Sequence, residues 1–149
     1  RQLASGGPTY LFSFQLKDGP AQDEGSGWGL ITHENSGKKL KPRYYVYNFL
    51  DVLAGRRLAL SGEGTWVTAL ATMQDKTVRV LLVNFDAGGA HSENVPVTFT
   101  NLDPGNYTYR ERFLFGRDVS LREAISGNSL SKKVYLPAQS IAILELTKQ

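Results

Sequence analysis

The sequence predicts a mainly β protein, an antiparallel, immunoglobulin-like β-sandwich with one packed α-helix. Three observations support this class. Residues 66–85 have the composition of a β-hairpin. After them come short β-rich runs separated by Gly, Pro and Asn turns, and before them lies one helical pattern. Several short strands joined by tight turns are typical of a sandwich, which needs its two sheets to cover a common core.

The predicted hairpin consists of two runs of strand length, residues 66–73 and 78–85, separated by a short polar connection that contains Asp75 and Lys76. In the second run, residues 78–85, apolar side chains point to both faces of the strand. A strand with one face in water alternates between apolar and polar residues. We therefore expect the hairpin at the centre of a sheet, with a second sheet on one face and the helix or further structure on the other.

Two short strands and two loops are predicted before the helix. Residues 10–16 form a compact apolar run, and residues 28–32 form a second short run of strand type. Gly, Pro, Asp and Ser dominate residues 17–27, which are therefore predicted to be a loop, and residues 33–39 form another polar turn.

The helix is predicted between Pro42, which suits a first helical position, and Gly55, which suits the residue just past the end. Apolar residues recur between them at helical spacing, at Val46, Phe49, Leu50 and Leu53. We expect this stripe to pack on the second strand of the hairpin.

The remaining strands are predicted from apolar runs between turns, at residues 96–100, 107–115, 133–136 and 140–146. One segment between them has a helical pattern instead. Asp118 is a suitable N-cap, and Leu121 and Ile125 follow at helical spacing, which predicts one or two turns of helix ending before Gly127.

Composition and charge narrow the possible classes. The chain has 149 residues, of which 41% are hydrophobic and 21% charged, as in an ordinary globular domain. No apolar run has the length of a membrane span, and the absence of Cys excludes a disulfide scaffold. The net charge is +3, and the one dense basic cluster is interpreted as a solvated face rather than a nucleic-acid site: Lys38, Lys39, Lys41 and Arg43.

No catalytic or metal-binding constellation stands out. Glycoside hydrolysis needs two carboxylates about 5–9.5 Å apart, and only Glu111, between two arginines, resembles a placed carboxylate. A cross-strand ion pair is its simpler interpretation. His33 and His91 both lie in predicted loops without a Cys or a second spaced His, so neither a nucleophilic triad, a metal site nor a cofactor is predicted.

Aromatic side chains are the remaining candidates for binding. Trp28 and Trp66, with Tyr107 and Tyr109, are candidates for a platform on which sugar rings stack. The alternative is that these rings pack in the core or at the rim of the sandwich, as aromatic residues at strand starts commonly do.

The order of several motifs resembles the end of a clan A glycoside hydrolase, and family 39 (β-xylosidase and α-iduronidase relatives) in particular. The motifs are Trp28-Gly-Leu-Ile31, Lys41-Pro-Arg-Tyr-Tyr45, Val78-Arg-Val-Leu-Leu-Val-Asn84 and Leu136-Pro-Ala-Gln-Ser140. The resemblance implies that residues 1–55 are the last barrel strand, a loop and a helix packed on the sandwich. It implies that residues 56–149 are an accessory β-sandwich.

The resemblance also implies where catalysis takes place. The acid/base Glu of that family follows an Asn, and both catalytic Glu residues lie on barrel strands upstream of the matched motifs. This sequence has no Asn-Glu dipeptide, so no catalytic residue is carried over. The last barrel strand of such enzymes presents an aromatic residue, usually Trp, to the sugar, and the resemblance implies that Phe12 or Phe14 corresponds to it here.

We therefore expect a non-catalytic accessory portion of a glycoside hydrolase that stabilises a (β/α)₈ catalytic barrel and shapes its sugar cleft. Its expected partners are that barrel and carbohydrate, with no nucleic acid and no membrane, and an extracellular or periplasmic location is expected. The start without Met predicts a processed product or a piece of a longer chain. Two alternatives remain open, a carbohydrate-binding module using Trp28 or Trp66, and a structural domain of immunoglobulin or fibronectin type.

Overall fold

A computed structural model of the protein describes residues 15–20, 27–62, 64 and 66–149. The described residues up to Val52 form one compact unit, and those from Leu53 onward form another. The elements are a 3-10 helix (Glu34–Ser36), α1 (Pro42–Leu50), β1 (Arg56–Arg57), β2 (Val67–Gln74), β3 (Thr77–Asn84), β4 (Glu93–Thr100), β5 (Gly105–Phe113), β6 (Asp118–Ile125), β7 (Ser129–Leu136) and β8 (Ser140–Lys148). No helix among the described residues is long and apolar enough to cross a membrane.

The second unit contains two antiparallel sheets. The larger has six strands in the order β1-β2-β3-β8-β5-β6, and the smaller pairs β4 with β7. Every pairing between named strands is antiparallel. The predicted mainly β class, with antiparallel sheets and one α-helix, is therefore confirmed.

The predicted central hairpin is confirmed. β2 and β3 pair along their whole length, from Val67 opposite Asn84 to Gln74 opposite Thr77. Asp75, in the two-residue connection, has a φ of 53°, a conformation that Asp tolerates better than most residues. β3 lies between β2 and β8, so it is an interior strand as predicted.

Both sheets contribute side chains to one core. Val80, Leu82 and Leu144 come from the large sheet, and Phe99 and Val134 come from the small one. Leu144 is fully buried and Val134 is 1% exposed. Apolar burial on this scale is the main stabilising contribution in a sandwich, and the alternation of inward-facing residues along each strand produces it.

The other face of the large sheet is buried as well. Leu81 is 7% exposed, and its neighbour across the β3–β8 pair, Ile143, is 0% exposed. Neither belongs to the core cluster between the sheets. The prediction that β3 is buried on both faces is therefore confirmed, while the helix as the cover of that face stays a prediction.

The helix begins where it was predicted and ends earlier. Pro42 is the first residue of α1, but the last is Leu50, so the predicted continuation to Gly55 is wrong. The chain passes through Gly55 with a φ of +87°, and a Cβ there would collide with the backbone carbonyl of Met73. Gly55 thus marks a close approach of the chain to β2 and not a helix cap. Of the predicted stripe, Phe49 is buried.

Two predicted elements upstream of the sheets differ from the structure. Most of the strand predicted at residues 10–16 lies outside the described residues. The strand predicted at residues 28–32 is wrong, because only isolated bridges form there, between Ile31 and both Lys17 and Leu40. The hydrogen bonds from Thr32 N to Lys39 O and from Lys41 N to Leu30 O flank the second of these bridges without extending it into a strand.

The helix predicted after Asp118 is also wrong, because residues 118–125 form β6. The segment has two periodicities at once: Leu121 and Ile125 fit a helix, whereas Val119, Leu121, Glu123 and Ile125 fit a strand. Pairing with β5 along the whole segment favours the strand, since it satisfies backbone groups that a short exposed helix leaves to water.

Candidate functional site

The first candidate site is the exposed ring of Trp28. Trp28 is 63% exposed in a segment without regular secondary structure. Three charged side chains bind the backbone of residues 27–29 in succession. Lys41 Nζ donates to Gly27 O at 2.5 Å, Arg43 Nη1 donates to Trp28 O at 2.9 Å, and Gly29 N donates to Asp18 Oδ1 at 2.6 Å.

Asp18 and Lys41 form a buried ion pair beneath this segment. Lys41 Nζ lies 2.8 Å from Asp18 Oδ2, and the exposed fractions of the two side chains are 12% and 0%. The hydrogen bond from Lys41 lowers the pKa of the Asp18 carboxyl, and the Gly29 amide adds to the effect against the cost of burial. Only glycine fits at Gly29, because a Cβ there would lie 2.6 Å from Asp18 Oδ1.

Arg43 also contacts the Trp28 ring directly. Its guanidinium carbon lies 5.5 Å from the ring centroid, within the range of a cation–π contact. The same side chain therefore fixes both the backbone carbonyl and the indole. Lys41 and Arg43 belong to the basic cluster predicted to be a solvated face, and for these two residues that prediction is wrong, since each is engaged with the Trp28 segment.

The second candidate site, around Trp66, lies in the other unit. The His91 imidazole stacks on the Trp66 indole with centroids 4.5 Å apart and an interplanar angle of 13°. Trp66 is half-buried, and the His91 side chain is 51% exposed. One face of Trp66 is therefore occupied by a neighbouring ring.

The Asp86 carboxylate holds the His91 side chain and its loop by hydrogen bonds. Asp86 Oδ2 lies 2.6 Å from His91 Nδ1, and its carboxylate accepts backbone hydrogen bonds from Gly88, Ala90 and His91. The hydrogen bond with His91, followed by those from Ala90 and Gly88, lowers the pKa of Asp86 to about 2. The loop is thus closed around an ionised carboxylate.

Asn84 connects this loop to the turn before β8. Its side chain is 1% exposed, and Nδ2 lies 2.8 Å from His91 O, 3.3 Å from Leu136 O and 3.0 Å from Pro137 O. Asn84 Oδ1 is buried without a hydrogen-bond partner. Asn84 ends the motif at residues 78–84, and its contacts give that motif a structural explanation.

The other aromatic candidates are not exposed platforms. Tyr107 is 5% and Tyr109 0% exposed, and both belong to the core cluster, so for these two rings the alternative of core packing is confirmed. Their hydroxyl groups bond Asp103 O and Glu111 Oε1. Phe14 lies outside the described residues.

Two carboxylates on the strands of the large sheet, Glu145 and Glu111, are paired with donors. Glu145, on β8, lies 3.1 Å from Arg79 Nε and within 4.0 Å of Arg110 and Arg112. Glu111 accepts from the Tyr109 hydroxyl, and its ion-pair partner at 4.0 Å is Arg117, which lies in the β5–β6 connection and not on a facing strand as the predicted cross-strand pair requires. A general acid of a glycosidase needs a raised pKa, whereas those of Asp18, Asp86 and Glu34 are lowered.

Within the described parts of the chain, no group of three or more His, Asp or Glu side chains is arranged to hold a metal ion. The residues that sequence reasoning missed are Asp18, Lys41, Arg43 and Glu145. Glu145 had a signal, since a charged residue interrupts an apolar strand there. The pairing of Asp18 with Lys41 had none, because the two residues are 23 positions apart in sequence.

No family model and no curated protein matches the sequence. Solved structures do match the fold. One is a GH30 endoxylanase from Clostridium papyrosolvens C71, with a TM-score of 0.53 and 18% identity over 76% of this chain. Another is the glycoside hydrolase family 30 subfamily 8 xylanase Xyn30A from Clostridium acetobutylicum, with a TM-score of 0.54 and 16% identity over 80% of this chain.

The match covers 29% of the first xylanase and 31% of the second, so this chain spans about a third of their length. The fold described here therefore occurs as part of larger glycoside hydrolases. This agrees with the resemblance to glycoside hydrolases, while the assignment to family 39 in particular stays a prediction.

Proposed function

We propose that the chain is a non-catalytic accessory portion of a glycoside hydrolase. In this proposal the sandwich of β1–β8 stabilises a (β/α)₈ catalytic barrel of the same parent protein, and residues 1–55 include the last barrel strand, a loop and the helix. The observation that supports it most is the shared fold: most of this chain corresponds to less than a third of each of two xylanases.

The chemistry of the described carboxylates supports the non-catalytic part of the proposal. Retaining and inverting glycosidases need one carboxyl group that stays protonated near neutral pH. Asp18 and Asp86 instead accept hydrogen bonds that keep them ionised, and Glu145 lies among arginines. We therefore expect the purified chain to release no product from aryl β-xylosides, aryl β-glucosides or xylan.

Two measurements test this proposal. Turnover of an aryl glycoside by the purified chain, lost on denaturation, would contradict the non-catalytic role. The reading frame upstream of Arg1 tests the accessory role, because the proposal requires a barrel with two Glu-bearing strands there. A frame that encodes an unrelated domain would contradict the role even if the chain were inactive.

A second candidate function is carbohydrate binding through an aromatic ring. Trp28 and Trp66 are its candidate residues within the described chain, and Phe14 is a third outside it. The exposure of Trp28 favours this function, since a large amphipathic ring left in water is suited to stacking. Pull-down with insoluble polysaccharides tests it, and no retention on any of them would contradict it.

A further inference from the structure

We propose that Trp28 is a binding surface for one pyranose ring of a carbohydrate. Three charged side chains, Asp18, Lys41 and Arg43, act as positioning residues that hold its indole. The inference rests on the carbohydrate-binding function above and is independent of the accessory role.

The first support is the combination of high exposure and fixed backbone. Residues of exposed loops normally bond to water, but at residues 27–29 three consecutive backbone groups bind charged side chains at 2.5–2.9 Å. A ring held this way loses little conformational freedom when a ligand arrives, which raises affinity without adding a contact. The segment is therefore preorganised around its most exposed side chain.

The second support is the buried ion pair. Asp18 and Lys41 are almost fully buried, and such a pair is weak evidence for stability, because apolar replacements of similar volume are often neutral or stabilising. Both of its members bind the backbone beside Trp28, at Gly27 O and Gly29 N. Placement of this segment explains the pair better than stability does.

The third support concerns which ring face is available. Arg43 lies over one face of the Trp28 ring, at 5.5 Å from its centroid, and the residue is 63% exposed, so we assign the opposite face to the C–H face of a sugar. Trp66 is less suitable, because it is half-buried and His91 covers one of its faces at 4.5 Å. The structure thus favours Trp28 over Trp66 as the stacking residue.

The experiment uses the full chain with Trp66→Phe as background, which leaves Trp28 as the single tryptophan. Xylohexaose, cellohexaose and mannohexaose are titrated while Trp28 fluorescence is followed. We compare Trp28→Ala, Arg43→Gln, and the double change Asp18→Asn with Lys41→Met. Lys39→Gln is the matched control, since it removes a positive charge from an exposed side chain of the same basic cluster.

We expect Trp28→Ala to weaken binding at least tenfold by calorimetry, which corresponds to about 1.4 kcal/mol. Arg43→Gln should weaken it about threefold or more and lower the fluorescence anisotropy of Trp28, since the indole is freed while the fold is kept. The double change should do the same, and Lys39→Gln should bind as the background does. Arg43 is half-buried, so its variant tests the inference even if the double variant fails to fold.

Three results would overturn the inference, and each removes a different part of it. Absence of saturable binding by both the background protein and the unsubstituted chain removes the carbohydrate-binding function and the sugar site with it. Normal binding by Trp28→Ala removes the sugar site at Trp28 but leaves the carbohydrate-binding function, which another residue then carries. Loss of binding in Trp28→Ala, but wild-type affinity and anisotropy in Arg43→Gln, keeps the sugar site and removes the positioning role. The accessory role is untouched by all three, because it is tested by the upstream reading frame.

Discussion

Asn84 offers the sharpest test of how the second unit is held together. Its Nδ2 group carries two hydrogens and faces three backbone carbonyls, those of His91, Leu136 and Pro137. We expect Asn84→Ala to destabilise the unit by about 2–4 kcal/mol. Two hydrogen bonds at roughly 1 kcal/mol each are lost, and the buried carbonyls left without a donor add a similar amount.

Asn84→Asp keeps the shape of the side chain but replaces its hydrogen-bond donor by an acceptor. An ionised carboxylate has no hydrogen to donate, so it would place a negative charge against three carbonyl oxygens in a site that is 1% exposed. We expect this variant to be less stable than Asn84→Ala near neutral pH, since burying an unpaired charge is among the most destabilising single changes.

The assay is urea denaturation followed by near-ultraviolet circular dichroism, with hydrogen exchange of the loop at residues 85–92. Asn94→Ala, an exposed position on β4, is the matched control and should stay within about 0.5 kcal/mol of the unchanged chain. An Asn84→Ala variant as stable as that control, or an Asn84→Asp variant more stable than Asn84→Ala at pH 7, would refute the reasoning.

Three further predictions follow from glycine geometry, acid titration and core packing. Gly55→Ala should lower the melting temperature more than Gly62→Ala does. The two φ angles are +87° and +86°, but only at Gly55 would a Cβ collide with a backbone carbonyl. Equal decreases in melting temperature would contradict the collision. Asp86 has a folded-state pKa of about 2 against an ordinary 3.8, so its contribution to stability is present above pH 3.8 and is lost as the pH falls through about 2. Asp86→Asn should therefore make the free energy of unfolding less dependent on pH in this acid range. An unchanged pH dependence would contradict this. Leu144→Ala should cost about 2–5 kcal/mol in urea denaturation, because the side chain is fully buried, while exposed Leu121→Ala should change little, and similar effects would contradict the assigned core.

The sheets could largely be predicted from sequence because their signal is local. Continuous apolar runs rich in β-branched residues identify β3 and β8, and a short polar connection identifies the hairpin. Ambiguity arose where two periodicities coexist, as in residues 118–125, where pairing with β5 decides and no local signal reports that pairing.

The candidate site was less predictable because its interactions are distant in sequence. The exposure of Trp28 could be proposed from its Gly-rich surroundings, but nothing local indicates that Lys41 reaches the carboxylate of Asp18. The stacking of His91 on Trp66 likewise depends on a loop closed around Asp86. Composition alone also left open whether Tyr109 packs in the core or is exposed, and in the structure its ring is in the core while its hydroxyl bonds Glu111.

The place of β8 in the large sheet constrains how the protein is made. β8 pairs with β3 on one side and β5 on the other, although it comes last of the three in the chain. During synthesis β1–β3 and β5–β6 therefore remain two separate half-sheets, each with a strand edge able to pair with other chains. Neither edge can be covered by β8 before residues 140–148 are synthesised, so the six-stranded order requires the last of its strands to be translated first.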